Sequence, residues 1–361
     1  MVGISPSNIP NPNLKWESTA SFDAGIDLGL WRDRVSLTAD YYNKKTSNLL
    51  LNVNIPQSSG YSSILQNAGS VRNEGFEVGL TTHNIQKGKV SWTTTFNFSA
   101  NQNRILSLGS NQQIYAGNLS GSLFPSANFK SAILLVGHPI GSFYGYVFDG
   151  IWQSQEQIDK SGTTQAVHPG DPIYRDLNGD SLLNGSDRKI IGHALPKFTY
   201  GFTSDLTVGR FNVNLFVQGV YGNKIFNENL YEIQNGSTGT NKLAYVATKS
   251  WTGPGTSNTL PSVASTLRRS TGVTSDVLES GSFLRIKSLT VSYNLPLPQV
   301  TSVFKSSLLY VTVQNLYTFT KYSGYDPEVN SFSTSDALSL GTDYNAYPNY
   351  RTYMIGVKLG F

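Results

Sequence analysis

Along most of the chain, apolar side chains recur at every second position rather than every third or fourth. Tyr353, Ile355, Val357, Leu359 and Phe361 fall on one face of an extended strand, and Met354, Gly356, Lys358 and Gly360 on the other. The same period runs through Phe22, Ala24, Ile26, Leu28 and Leu30, through Val35, Leu37, Ala39 and Tyr41, through Phe76, Val78 and Leu80, and through Val90, Trp92, Phe96 and Phe98. It returns in Phe198, Tyr200, Phe202, Leu206 and Val208, in Phe211, Val213, Leu215, Val217 and Tyr221, and in Leu309, Val311, Val313 and Tyr317. In one further strand Leu284 and Ile286 are out of phase with Leu289, Val291 and Tyr293, which predicts a β-bulge near Lys287. The pattern therefore predicts nine strands. Their opposite faces carry Asp23, Asp27, Asp40, Thr199, Thr203, Asp205, Asn212, Asn214 and Gln218, which suit a wet lumen better than a packed core.

The connections alternate between short and long. Short turns are predicted at Trp31 to Arg34, Gln86 to Lys89, Gly209-Arg210 and Pro296-Leu297-Pro298; long loops are predicted at about 46–70, 104–197, 223–281 and 320–349. Transmembrane barrels have short periplasmic turns and longer outer loops. The other candidate, a secreted β-sandwich, has no reason for so strict an alternation. The expected fold is thus all-β, a transmembrane antiparallel β-barrel in outer-membrane lipid. Nine strands cannot close a large barrel, and an open sheet in hydrocarbon leaves unpaired edges, so residues 1–361 are expected to be the C-terminal fragment of a longer chain. Within the longest loop, Gly141 to Trp152 is predicted to form a hairpin above the membrane.

Composition narrows this further. Only 14% of residues are charged and 39% are apolar, and the 20 tyrosines and 18 phenylalanines suit aromatic girdles at two membrane interfaces. The net charge of +4 is unclustered, so no nucleic-acid partner is expected. With no cysteine, disulfides, thiolate metal sites and cysteine nucleophiles are excluded. No stretch approaches the ~18 apolar residues of a spanning helix. The first residues show no export signal, which again points to a longer parent chain.

Catalytic signals are weak. His83, His138, His168 and His193 lack metal-ligand spacing, and no nucleophile elbow, phosphate loop or dinucleotide fingerprint occurs. No catalytic residue is expected, and the chain is not expected to be an enzyme. One constellation stands out. Asp176, Asn178, Asp180, Asn184 and Asp187 place side-chain oxygens at positions 1, 3, 5, 9 and 12 of a twelve-residue loop, with the Leu182 carbonyl at position 7. That spacing wraps a calcium ion. Ser181 stands where glycine normally makes the sharp turn, and Asp187 replaces a longer glutamate. The expectation is one structural calcium; the alternative is a surface loop of Asx-turns that needs no ion.

Several stretches, in order, carry a family resemblance: Asn11 to Glu17, Asp40 to Thr46, Asn67 to Glu77, Gly141 to Trp152, Asp176 to Asp187 with Ile190-Ile191-Gly192, Pro196 to Gly201, and Pro348 to Tyr353. Together they resemble the SusC/RagA-like TonB-dependent outer-membrane transporters. The resemblance implies that the complete protein is a 22-stranded barrel with an N-terminal plug. It would be inserted by the barrel assembly machinery, driven by TonB through that plug, and covered by a SusD-like surface lipoprotein, and it would import oligosaccharides or peptides. A passive porin or a surface adhesin built on a barrel is the alternative.

Overall fold

The computed structural model describes residues 9–361 except 56, 62, 120–129, 235–240, 268–270, 297–303 and 332–337. In chain order the first four strands are β1 (Ser18–Leu30), β2 (Val35–Asn54), β3 (Ser63–Lys87) and β4 (Val90–Leu108). An outer insertion follows, with β5 (Gln113–Ala116), β6 (Ala132–Leu135), β7 (Ser142–Gly145), β8 (Phe148–Ile151), helix α1 (Gln155–Ser161), β9 (Pro172–Tyr174) and β10 (Lys189–His193). Then come β11 (Phe198–Val208) and β12 (Phe211–Tyr221), a second insertion with β13 (Lys224–Asn227), α2 (Asn229–Gln234), α3 (Ala244–Lys249) and β14 (Leu278–Ser280), and finally β15 (Phe283–Asn294), β16 (Ser306–Thr320), β17 (Thr342–Asp343) and β18 (Thr352–Gly360).

Nine of these strands form one antiparallel sheet in the order β1-β2-β3-β4-β11-β12-β15-β16-β18, and the sheet is open. They are the nine strands that the alternation predicts. The apolar positions share one face and remain exposed on it, as Ile26, Val311, Ile355 and Val357 show. In a soluble sandwich this face would be buried; here it is the face for lipid. Phe76, Phe98, Phe198 and Tyr221 form a continuous aromatic ribbon across four strands, with ring centroids 5.5, 5.3 and 4.9 Å apart. A second belt contains Phe211 against Tyr293 at 4.7 Å and Phe304 against Phe361 at 5.2 Å. Ten residues separate Phe211 from Tyr221 along β12, which at ~3.3 Å per residue and a tilt of ~40° is about 25 Å, the height of a barrel's apolar band.

The short turns lie where expected. Trp31, Arg32 and Asp33 adopt left-handed backbone in succession (φ 54°, 59° and 60°), and the next two hairpins turn on Gly88 and Gly209. The turn expected at Pro296-Leu297-Pro298 lies largely outside the described residues. The bulge is at Lys287: Ile286 and Ser288 pair with Val217 and Phe216 on one side, and with Tyr317 and Gln314 on the other, leaving Lys287 unpaired.

Three expectations require correction. The segment 46–70 is not a loop. β2 and β3 stay paired from Thr46↔Val71 to Asn54↔Ser63, absorbing the irregular Ser-, Asn- and Leu-rich sequence in register shifts around Leu49. Pairing supplies their backbone groups with partners whatever the side chains are, so the hairpin overshoots the membrane. Likewise β4 runs on to Leu108 rather than ending at Arg104. Finally, Gly141 to Trp152 is not a hairpin, because β7 pairs with β6 and β10 whereas β8 pairs with β9.

Most of the buried core lies in the outer insertions, joined by Ile105 and Leu108 from the outer end of β4. Phe143, Phe226, Tyr231, Val273, Val277 and Leu278 form one cluster, and Trp152, Ile158 and Val167 another. Gly145 shows how tight the first is: a Cβ there would lie 2.1 Å from the Val273 carbonyl oxygen, the acceptor for Tyr146 N–H at 3.0 Å. In the full-length protein Gly145→Ala should therefore destabilise the outer body by roughly 1–3 kcal/mol, read as faster proteolysis of the outer insertions while the protein still migrates as folded barrel in the gel.

Candidate lumen face and outer platform

Because alternate residues of a strand point to opposite faces, the face opposite the lipid-facing positions is predominantly polar, with Phe216, Val220 and Met354 among its apolar members. Its side chains bond across strands. Asp205 accepts from Asn212 (2.9 Å) and Asn214 (3.1 Å), the Thr290 and Thr312 hydroxyls lie 2.9 Å apart, and Asn73 accepts from Asn101 (3.3 Å) and Asn103 (2.8 Å). Such ladders hold side chains upright in water without closing the space. Along this face a concavity of about 540 Å³ runs past Asp40, Glu77, Asn97, Ser99, Thr199 and Gln218. Asp23 sits 3.9 Å from Lys44; both are exposed, so this contact contributes little.

At the outer rim the loop after β16 folds back into the mouth of the lumen. Arg285 of β15 is only 2% exposed. Its Nε donates to Thr318 Oγ1 at 2.8 Å, one Nη to Asp326 Oδ1 at 2.6 Å and the other to Glu328. Gln218 Nε2 also donates to Glu328, at 2.8 Å, and Lys287 Nζ lies 3.7 Å from it. Asp326 accepts in addition from the backbone N–H groups of Glu328 (2.9 Å) and Asn349 (3.2 Å). Burial alone would raise the Asp326 pKa, but these hydrogen bonds and Arg285 outweigh it and hold the carboxyl below its ordinary range. Nearby, Tyr322 donates to Asp343 at 2.5 Å, and burial together with that carboxylate pushes its phenol well up. Sequence periodicity did not mark this knot. Its one local signal is an arginine at an inward position two residues before an unpaired bulge residue.

Above the rim, a pocket of about 310 Å³ is lined by Asn229, Leu230, Ile233, Tyr325 and Asn345. Tyr325 and Tyr347 stand almost fully exposed, 89% and 90%. Aromatic faces beside amide groups are suited to sugar rings or to a protein lid.

The residues of the expected calcium loop are adjacent, but their oxygens bind the loop itself. Asp176 accepts from Gly179 N–H (2.6 Å) and Ser181 N–H (2.8 Å); Asn178 accepts from Asp180 N–H (3.2 Å); Asp180 accepts from Leu182 N–H (2.8 Å) and from the Asn178 and Asn184 side chains. The Leu182 N–H, followed by Asn178, holds the Asp180 carboxyl below its usual range. Asp187 is fully buried, accepting from Leu177 N–H and Asn184 N–H at 2.9 and 2.8 Å, and Asn184 caps the short turn through Ser186 N–H. Ser181 adopts the left-handed backbone (φ 63°) that the sixth position requires. Among the described residues, no group of three or more His, Cys, Asp or Glu side chains converges as a metal set; the loop carboxylates are turned onto the loop's own N–H groups.

Of the histidines, His193 is half-buried; burial, then His138 and Lys197, lower its pKa. Its Nδ1 lies 3.2 Å from Ser142 Oγ, but that hydroxyl is buried and donates to the Pro139 carbonyl at 2.6 Å. The pair is placed as a structural contact rather than as an exposed nucleophile.

Residues 2–316 match the family model described as "TonB dependent receptor-like, beta-barrel". Over 99% of its length the chain is 36% identical to TonB-dependent receptor P3 of Formosa agariphila, and over 97% it is 28% identical to TonB-dependent receptor SusC of Bacteroides thetaiotaomicron. It spans 36% and 32% of those two proteins, about a third of each. Among solved structures it is similar to the RagAB peptide transporter, with a TM-score of 0.80, 26% identity, and coverage of 99% of this chain and 37% of that one.

Proposed function

This chain belongs to the TonB-dependent receptor β-barrel family, and from that membership we infer that it is the C-terminal part of an outer-membrane importer of peptides or oligosaccharides. In this reading the polar face lines the transport path, the missing strands and plug lie upstream, TonB acts through that plug, and a SusD-like lipoprotein closes over the outer insertions. The main support is the similarity to the RagAB peptide transporter, which extends over 99% of the chain and so includes the outer insertions as well as the wall. Oligosaccharide stays in the substrate class beside peptide through the family resemblance that the sequence motifs carry. No catalytic step belongs to this reading, since the matched proteins are named as receptors and transporters.

The test uses the full-length transporter. Removing the insertions within 104–197 and 223–281 should abolish co-purification of the lipoprotein and growth on the imported polymer, while the barrel still reaches the surface. Unchanged co-purification would remove the lid from this reading. Uptake that persists at full rate in a strain without TonB would instead support a passive pore.

A structural calcium at Asp176, Asn178, Asp180, Leu182, Asn184 and Asp187 is a separate proposal. Its support is the spacing and the left-handed Ser181; against it stand the backbone donors already on those oxygens. Limited proteolysis decides. A loop stapled by its own Asx-turns should be cut at the same rate in chelator and in millimolar calcium, and faster after Asp176→Ala in both; protection by calcium that Asp176→Ala removes would establish the ion.

A further inference from the structure

Glu328 occupies a receptor for a carboxylate. Its two oxygens meet three donors fixed on the lumen wall: Gln218 on β12, and Arg285 and Lys287 on β15. Arg285 is held in place by other means, since it is also bound by Thr318 and Asp326, whereas Lys287 projects from the bulge with its side chain 35% exposed. The two acids differ in kind. Asp326 is buried, with a side chain 5% exposed, whereas the Glu328 side chain is 30% exposed and reaches the receptor from a loop. Asp326 neutralises Arg285 permanently. If Glu328 swings out, Lys287 remains uncompensated, with three aligned donors and no acceptor. Gln218 also lines the concavity of about 540 Å³ along the lumen face, so the receptor opens onto the space a ligand would enter.

We propose that this receptor binds a carboxylate of the imported ligand, with Glu328 acting as a tethered stand-in that the ligand displaces. The proposal rests on the import reading above and narrows its ligand to acidic polymers. The exchange replaces one carboxylate by another on the same donors, so neither charge nor hydrogen bonds are lost. What opposes it is competition from Glu328, which a short loop holds at an effective concentration in the millimolar range or higher. Displacing Glu328 also frees the loop that it pins, coupling capture of an acidic ligand to movement at the mouth. Two sources share the chemistry: acidic side chains of a peptide, and uronic acids of an oligosaccharide.

The test is calorimetric binding to the full-length transporter in detergent. The peptide probe is acetyl-triglutamate amide against acetyl-triglutamine amide; the sugar probe is trigalacturonate against its methyl ester. Glu328→Ala, which vacates the receptor, should bind at least one acidic probe about tenfold more tightly than the unmutated protein, with its neutral counterpart unchanged. Lys287→Met should weaken the same probe. The probe that responds identifies the source. Equal affinities for acid and neutral probe in Glu328→Ala, no binding of either acid, or no effect of Lys287→Met overturns the proposal. Failure of the import reading is separate: tight acid binding to Glu328→Ala in a transporter whose loss leaves cellular uptake unchanged would refute import and leave the receptor standing.

Discussion

Arg285→Met in the complete transporter should destabilise the outer rim by roughly 3–5 kcal/mol, the cost of leaving a buried charge without its partner. The residue left behind is Asp326, which is 4% exposed and would keep only the N–H groups of Glu328 and Asn349. The expected readout is rapid proteolysis of the loop after β16, with the wall still folded. Adding Asp326→Leu should restore most of the resistance, because removing both charges removes the unpaired one. A single mutant as resistant as the unmutated protein would mean that the knot does not hold the loop. Acid gives an independent check. Asp326 has its pKa depressed in the folded protein, so its contribution is present above the ordinary carboxylate value of 3.8 and is lost as the pH falls through the lower folded value. Loop protection should therefore survive mild acid and fail only below that ordinary range.

Leu215→Arg should cost about 2–4 kcal/mol, and Asn214→Arg next to it far less. Leu215 faces lipid between Ser204 and Leu289, four residues from Phe211 in one belt and six from Tyr221 in the other. That places it near the middle of the apolar band, where a charge is most expensive. Val213, which sequence alone marks equally well, lies only two residues from the Phe211 belt, so its arginine variant should be milder. Asn214 faces water beside Asp205, and an arginine there gains an acid neighbour. Surface abundance and the temperature of gel mobility change report all three; equal tolerance at 214 and 215 would mean that the faces are reversed.

The wall could be read from sequence because each strand states its own period and the turns break it at Gly88, Gly209 and Trp31 to Asp33. Even the slip at Lys287 shows as a change of phase between Ile286 and Leu289. The tall hairpin could not, because residues 46–70 carry turn-forming side chains on backbone held by a neighbouring strand. The carboxylate receptor was equally hidden: Arg285 reaches Asp326 and Glu328 across 41 and 43 residues, and no local pattern encodes such a contact. In the 176–187 loop the spacing was legible, but the same oxygens serve a cation or the loop's own N–H groups, and sequence does not choose between them.

The overshoot of β2 and β3 changes when entropy is lost. β3 extends 13 residues beyond Phe76 of the aromatic ribbon, to Ser63, a rise of about 30 Å at the same pitch and tilt. Left as a coil, such a segment would surrender ~1–2 kcal/mol of backbone freedom per residue on ordering, and each docking event would bear that cost anew. Pairing β3 with β2 and β4 incurs it once, when the sheet forms. The mouth thus begins each encounter already stiff, and more of the contact energy with a ligand or lid appears as affinity.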